Sequence, residues 1–459
     1  MARVLFTTFG SYGDVHPYLA IGRELRKLGH EAGIATSAGY REKVEAAGLT
    51  LVSVRPDLKF ADPELIRYFF DRVRGTERVV RAMASVVRET YEDTLAAAHN
   101  FDVIVTHPLS FAAVLAAQKL RLPWVSTVLA PASFVSACDP PVPGPLLGIV
   151  KVRTLGAGAM RLTWRLLMLA TVGWTQPVAE LRREIGLAPG RNPLFEGSHS
   201  PDLVLALFSK IFAKPQPDWP RQTVVTGFPF YHEDSGGLAP AHSEGVARDK
   251  EPAHSECVVR DKKELAAFLD SGPPPVVFTL GSSAVMAAGD FYSASLQAVE
   301  RVNARALFLT GPSLQGLPTR LPPSVLAWPY APHEQVFPRA SAIVHQAGIG
   351  TTAQALRSGR PSLAVPFAHD QFDNAERVCR LGVGLTISRH RYTERAAAQA
   401  LARLLGTPLA TPSYEQSARA VGEAIREENG AAAAAQEIDG YLTKRKISNT
   451  GRPLESKTV

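Results

Sequence analysis

The chain has 459 residues, 46% of them hydrophobic and 20% charged, enough to fill cores and too long for one ordinary domain, so two domains of about 200 residues are expected. The net charge of +7 and pI near 9.3 come from scattered lysines and arginines with one tail cluster, Lys444, Arg445 and Lys446; this excludes a nucleic-acid platform and leaves a weak attraction to anionic lipid or a phosphorylated substrate. Cys138, Cys257 and Cys379 are too widely spaced for a metal or redox site and read as structural thiols of a reducing compartment.

Val4 to Thr8 reads as a buried strand that starts before any signal-like core could form, and no apolar run reaches the ~18 residues of a membrane span, so a cytoplasmic protein is expected. A glycine loop from Phe9 to Val15 follows. Pro17 to Leu28 is predicted as a helix with Ile21, Leu25 and Leu28 at helical spacing, and His30 to Thr36 as the next strand. This βαβ opening implies a parallel sheet. The loop has only Gly10 and Gly13, not the three spaced glycines of a dinucleotide site, so an oxidoreductase loses its best motif.

Further strands are expected at Leu49 to Val54, Phe101 to Val105 and Leu122 to Val128, with helices over about Pro63 to Ala98 and over Ser110 to Leu120. His107 lies just past a strand, at the edge where ligands enter such sheets, although a loop histidine is more often incidental. The segment from Pro131 to Trp174 is the most apolar. Its Leu162 to Val172 part, with Trp164 between Arg161 and Arg165, lines an acceptor pocket, lies on a membrane surface, or is simple core.

Strands at Asp202 to Leu207 and Thr223 to Gly227 close the first domain. Then Pro240 to Glu244 recurs at Pro252 to Glu256, and Arg248-Asp249-Lys250 recurs at Arg260-Asp261-Lys262. This polar duplication reads as a linker, with a histidine metal site as the sharper and weaker alternative. The expected division is 1–230, a linker at 231–262, a second domain at 263–445, and an unstructured tail at 446–459. The second domain should open with the strand Pro275 to Leu280, the turn Gly281-Ser282-Ser283 and a helix from Asp290 to Asn303.

The strand Ala342-Ile343-Val344 leads into His345-Gln346-Ala347-Gly348-Ile349-Gly350-Thr351-Thr352, which opens a helical run to Ser358. Glycine-freed amides and the Thr351 and Thr352 hydroxyls at a helix N-terminus make an anion site, to which His345 adds a donor. The strand Ser362 to Val365 ends near Asp370-Gln371 at the same sheet edge, placing hydroxyl-binding groups beside the phosphate site; the plainer alternative is that Asp-Gln only caps a helix.

With Tyr330-Ala331-Pro332-His333, Ala368 to Asn374, Asp218-Trp219-Pro220 and Thr226-Gly227-Phe228-Pro229, the His345 to Gln371 stretch resembles family-1 glycosyltransferases of the GT-B fold. The branch it is most similar to is the bacterial one shared with sterol-glucosyltransferase-like enzymes and with the rhamnosyltransferase of rhamnolipid synthesis. The resemblance implies an α/β fold of two Rossmann-like domains facing across a cleft. It also implies an inverting, metal-independent hexosyltransferase without cofactor, moving sugar from a UDP-glucose or dTDP-rhamnose type donor to a small apolar hydroxylated acceptor.

In the family the first loop carries the general base, which points to Asp14 with His16 as the alternative; without the resemblance, Asp14 reads equally as a helix cap. The donor site implied by the resemblance comprises Gly13, Ser282, Ser283, Tyr330 (or Trp328) against the base, His333, His345, Gly348, Gly350, Thr351, Thr352, Asp370 and Gln371. His107 and Trp164 are the acceptor contacts. A cationic His345 and the helix dipole would stand in for a metal on the diphosphate, since no Asp-x-Asp clamp occurs. Where plant-type members carry a ribose-binding glutamate this chain has Ala353, with Gln354 beside it, so uridine and thymidine both stay open. The rival functions are a non-catalytic auxiliary protein of this fold and a nucleotide-sugar epimerase. A monomer or dimer with weak peripheral contact at the inner membrane face completes the expectation.

Overall fold

The computed structural model describes residues 1–57, 62–142, 144, 152–232, 262–311, 316–406 and 413–450. The duplicated segment, Cys257 and the last nine residues therefore lie outside the described residues. Two compact units emerge, one of Met1–His232, Ala368–Asp373 and Ile425–Val459, the other of Glu233–Phe367 and Asn374–Ala424.

Among the described residues the first unit holds a parallel sheet of seven strands, β1 (Arg3–Thr7), β2 (Glu31–Thr36), β3 (Thr50–Ser53), β4 (Val103–Thr106), β5 (Trp124–Val128), β6 (Val204–Ala206) and β7 (Thr223–Val225), in the order β3-β2-β1-β4-β5-β6-β7. The strands read as continuous apolar runs because helices cover both faces, and Val4, Leu5 and Phe6 are fully buried. β1 and β4 are neighbours with Thr7 opposite Thr106, although nearly a hundred residues separate them. The strand order reverses between them, so the loops after these two strands diverge and leave a crevice at their carboxyl ends.

The second unit repeats the plan with six described parallel strands, β8 (Val276–Thr279), β9 (Ala306–Leu309), β10 (Val325–Trp328), β11 (Ala342–His345), β12 (Ser362–Ala364) and β13 (Gly384–Thr386). Their order, β10-β9-β8-β11-β12-β13, reverses between β8 and β11, with His345 opposite Thr279.

The span expected as helical over about Pro63 to Ala98 is three helices, Pro63–Phe69, Gly75–Ser85 and Val87–Ala98, the turn at Gly281 is the short helix Gly281–Ala284, and the first and last helices differ from expectation as well. The first helix is Tyr12–Lys27, not Pro17 onward: Ser11 caps it, Asp14 completes a capping box, and Pro17 is accommodated inside it. The last helix is Gly430–Thr450, so 446–450 continue a helix where a tail was expected. Its Ala431, Ala434, Ala435, Ile438 and Leu442 join the core formed by Leu19, Leu25 and Ile34. His30 Nε2 stands 3.0 Å from Asp439 Oδ1, and Tyr441 donates to Asp202 at 2.7 Å. Residues from Ile425 on, and the short piece Ala368–Asp373, thus group with the first unit.

Candidate functional site

In the first unit the crevice between β1 and β4 is occupied by Asp14 from the first turn of the helix after β1 and by His107 from the loop after β4. Ser11 donates to Asp14 Oδ2 through its amide at 2.8 Å and its hydroxyl at 3.2 Å. His107 Nε2 lies 3.4 Å from Oδ1. The Leu109 amide donates to His107 Nδ1 at 3.1 Å, so the ring hydrogen of the neutral imidazole sits on Nε2 and faces the carboxylate. The Asp14 side chain is 34% exposed while that of His107 is 6% exposed. The carboxylate therefore presents itself and the histidine backs it. Gly10, at φ +118°, is required here, because a side chain at this position would overlap the Asp14 carboxylate.

The capping alternative for Asp14 is realised, and it engages one oxygen only: Oδ2 carries both Ser11 bonds, while Oδ1 keeps a lone pair beyond His107. His16 lies two residues on, turned about 200° around the helix. Its ring packs between Tyr12 and Tyr231, each centroid at 5.2 Å. Gly13, assigned to the donor, instead directs its amide to the Ser11 hydroxyl at 3.3 Å within the cap. Trp164, assigned to the acceptor, is buried in a small cluster with Ala137 and Met160 and donates to the Ser136 carbonyl at 3.1 Å. Gly13 is thus engaged in the helix cap and Trp164 in core packing.

The first unit also contains His369, which sequence reasoning passed over. It adopts φ +56°, its Nδ1 is 3.4 Å from Thr76 Oγ1, and its ring meets Phe70 edge-on at 5.3 Å. Burial pushes its pKa down to about 4 against the opposing pull of the Asp14 charge. Asp370 beside it is half-buried. Gln371 Oε1 accepts the Ala368 amide at 3.1 Å at the start of the helix Gln371–Arg380, so this residue does act in a helix-start turn.

In the second unit the turn after β11 is built from buried polar atoms. His345 is fully buried, and its Nδ1 accepts the Ala347 amide at 3.1 Å, which puts the ring hydrogen on Nε2. That Nε2, Gln346 Oε1 and Thr352 Oγ1 are buried and find no partner among the described residues. Gln346 Nε2 donates to Thr351 Oγ1 at 3.3 Å, and Asn374 Nδ2 donates to the Ala347 carbonyl at 2.9 Å. The latter bond helps hold Ala347 at φ +64°, a conformation that costs a non-glycine residue about 1 to 3 kcal/mol.

Gly348 is the N-cap of the helix Ile349–Ser358 and supplies no side-chain acceptor to its first turn, where Gly350 is exposed and Thr351 and Thr352 are buried. Each buried polar atom left alone costs about 1 to 3 kcal/mol, which an oxyanion with several acceptor oxygens would recover from Nε2, the threonine hydroxyl and the first-turn amides. Gly281, at φ +66° just after β8, approaches Gln346 so closely that a side chain there would overlap its amide.

The expected charge on His345 is corrected. Burial, reinforced by the neighbouring His333, pushes its pKa down to about 3, so it is a neutral donor and the helix end supplies the positive potential. His333 stacks on Phe337 with centroids 4.3 Å apart, and burial takes its pKa to about 4. Trp328 is part of the core, whereas Tyr330 is 40% exposed, so of the two aromatic residues Tyr330 presents a face. Ser282 is exposed on the short helix Gly281–Ala284, and the Ser283 side chain lies outside the described part. Ala353 is buried and Gln354 half-buried.

The glycosyltransferase family 28 N-terminal domain matches residues 4–131, and the erythromycin biosynthesis protein CIII-like C-terminal domain matches residues 295–444. The O-mycaminosyltylonolide 6-deoxyallosyltransferase of Streptomyces fradiae is 30% identical over 459 residues, spanning 98% of this chain and 99% of its own. A sterol 3-beta-glucosyltransferase of Leptosphaeria maculans is 26% identical over 455 residues, 95% of this chain, and the chain spans only 28% of that protein's length. Among solved structures, the glycosyltransferase SnogD from Streptomyces nogalater superposes with a TM-score of 0.62 at 21% identity, covering 96% of this chain and 99% of its own. The glycosyltransferase VinC in complex with dTDP gives 0.64 at 20% identity, covering 96% and 100%. At these identities the solved structures establish the shared fold.

Proposed function

We propose that this chain, which belongs to the family-1 glycosyltransferases of the GT-B fold and is a nucleotide-sugar glycosyltransferase of the natural-product type, transfers a hexose with inversion and without a metal ion to a hydroxyl of a small apolar acceptor. The observation that carries the donor side is the turn after β11, where two buried groups able to donate, His345 Nε2 and Thr352 Oγ1, have no partner among the described residues and flank a helix start. These groups suit the diphosphate of a nucleotide sugar, with Tyr330 against the nucleobase and Asp370 and Gln371 toward the sugar hydroxyls.

In the reaction the acceptor oxygen forms a bond to the anomeric carbon as the bond from that carbon to the diphosphate oxygen breaks. The electron pair leaves with the nucleoside diphosphate, whose growing charge meets the His345 N–H and the first-turn amides of Ile349–Ser358. The acceptor's proton passes to Asp14 Oδ1. A carboxylate is a weak base toward an alcohol, so its value lies in orientation: Ser11 fixes Oδ2 and His107 fixes Oδ1. His107 is thus a positioning residue, and because its Nδ1 already accepts the Leu109 amide it does not pass the proton further.

The near-full-length similarity to an enzyme named as a 6-deoxyallosyltransferase favours a dTDP-deoxyhexose over UDP-glucose as donor. We take the reaction to be cytoplasmic. The test is a panel of dTDP-rhamnose and UDP-glucose against phenols, sterols and hydroxy fatty acids, read by mass spectrometry, with the product anomer assigned by NMR. A glycoside of inverted configuration supports the reading. Retention of configuration, or donor hydrolysis with every acceptor class, contradicts it.

A further inference from the structure

We propose that the outward face of the helix Ala157–Thr171 is a docking surface for an anionic lipid bilayer. The helix is apolar on both faces, and only one of them is covered. Met160, Trp164 and Thr171 point inward and are buried, held by the Trp164 bond to the Ser136 carbonyl. On the opposite side Leu162, Leu166 and Leu169 follow the i, i+4, i+7 stripe and are 59%, 60% and 71% exposed, continued by Leu155 and Val172. Five of the eleven large hydrophobic residues exposed among the described residues therefore lie on this one element and its two ends. A contiguous exposed apolar stripe of this kind marks an interaction surface.

Charge selects the occupant. Arg161 and Arg165 are exposed and each precedes a leucine of the stripe, so they flank it along one side. No acidic residue occurs between Asp139 and Glu180, and the charged residues in that interval are Lys151, Arg153, Arg161 and Arg165. From the neighbouring helix Gly75–Ser85, Arg81 donates to the Gly173 carbonyl at 3.2 Å, and the nearby acid Glu77 is paired to Arg81 itself at 2.8 Å. An isologous contact between two copies would set this arginine row against its own image with no acid to answer it. An anionic bilayer satisfies both features, taking the leucines below its headgroups and the arginines against its phosphates. Fifteen residues of helix reach about 22 Å, short of a hydrocarbon core of about 30 Å, so the helix lies in the interface and does not cross it.

The test is flotation of the full chain with vesicles of phosphatidylcholine alone and of phosphatidylcholine doped with phosphatidylglycerol, which needs no enzymatic activity and so stands or falls apart from the catalytic reading. The wild-type chain should float with the anionic vesicles, less with the neutral ones, and less as salt is raised. Leu162→Ser/Leu166→Ser/Leu169→Ser should lower partitioning by about tenfold or more, with unchanged melting temperature and unchanged transfer to a water-soluble phenol. Arg161→Gln/Arg165→Gln should erase the preference for phosphatidylglycerol. A wild-type chain that stays out of the anionic vesicles overturns the proposal, as does a leucine variant that floats like wild type. A wild-type dimer that the leucine variant converts to monomer would assign the stripe to self-association instead.

Discussion

His345→Ala removes a single N–H from the donor site. Nε2 sits on a fully buried ring, has no partner among the described residues, and is the only hydrogen-bearing nitrogen of that ring, because Nδ1 is engaged by the Ala347 amide. A hydrogen bond to a charged oxygen contributes about 1.5 to 3 kcal/mol, so kcat/KM should fall by roughly 10- to 100-fold, and nucleotide affinity with it. The substitution also opens a cavity and strands the Ala347 amide, at a stability cost on the order of 2 to 4 kcal/mol, so the folded fraction must be verified by circular dichroism. Calorimetric titration with dTDP and UDP, paired with initial-rate measurements, reads both quantities. Unchanged turnover and nucleotide affinity in a folded variant would refute the assignment of this turn to the diphosphate.

Because His345 is held neutral with a pKa near 3, nucleotide affinity should stay flat between about pH 5.5 and 8 once the phosphate's own titration is subtracted; a loss centred near 6.5 on raising pH would mean a cationic histidine. His199, His333, His345 and His369 all titrate well below the ordinary 6.5 through burial. The unfolded chain therefore binds more protons below 6.5, and stability present above that value should decline as pH falls toward 4; a melting temperature unchanged between pH 6.5 and about 5 would contradict this. His107→Phe keeps the ring volume and removes the donor, and should lower kcat by about tenfold with KM for the donor unchanged and partial rescue by His107→Gln. Equal losses in His107→Phe and His107→Gln would indicate packing alone. Gly281→Ala should destabilise by about 1 to 3 kcal/mol and weaken nucleotide binding, since it displaces the Gln346 amide. A variant as stable and as tight as wild type would remove that glycine from the site.

The two parallel-sheet domains were legible because most strands are apolar runs bounded by turn residues, and β1 with its helix and β2 is a plain βαβ unit, whereas the short and partly exposed β13 carries no such signal. The anion site was legible for the same reason, as it lies within one strand–turn–helix segment. What escaped were contacts that depend on strand order. His107 reads as an acceptor contact by resemblance, and its place beside Asp14 is not legible until β4 is known to lie beside β1. His369 was passed over because its setting against Phe70 and Thr76 joins residues about three hundred positions apart. The start of the first helix was misjudged because Pro17 looks like a first helical residue, while the Ser11 and Asp14 capping box that begins it was read as loop. An apolar helix in sequence does not say which face turns inward; the buried stripe is Met160, Trp164 and Thr171, one half-turn away from the leucines.

The most direct test of the account is kcat/KM for wild type and Asp14→Asn across phenolic and alcoholic acceptors of graded acidity. Asparagine keeps the size and an oxygen for the Ser11 cap but does not accept a proton, so transfer to alcohols should fall by roughly 100-fold or more, with nucleotide affinity unchanged. The deficit should shrink as the acceptor becomes more acidic, because a partly ionised hydroxyl needs less help from a base. A deficit independent of acceptor acidity, or an active Asp14→Asn beside an inactive His16→Ala, would contradict Asp14 Oδ1 as the proton acceptor.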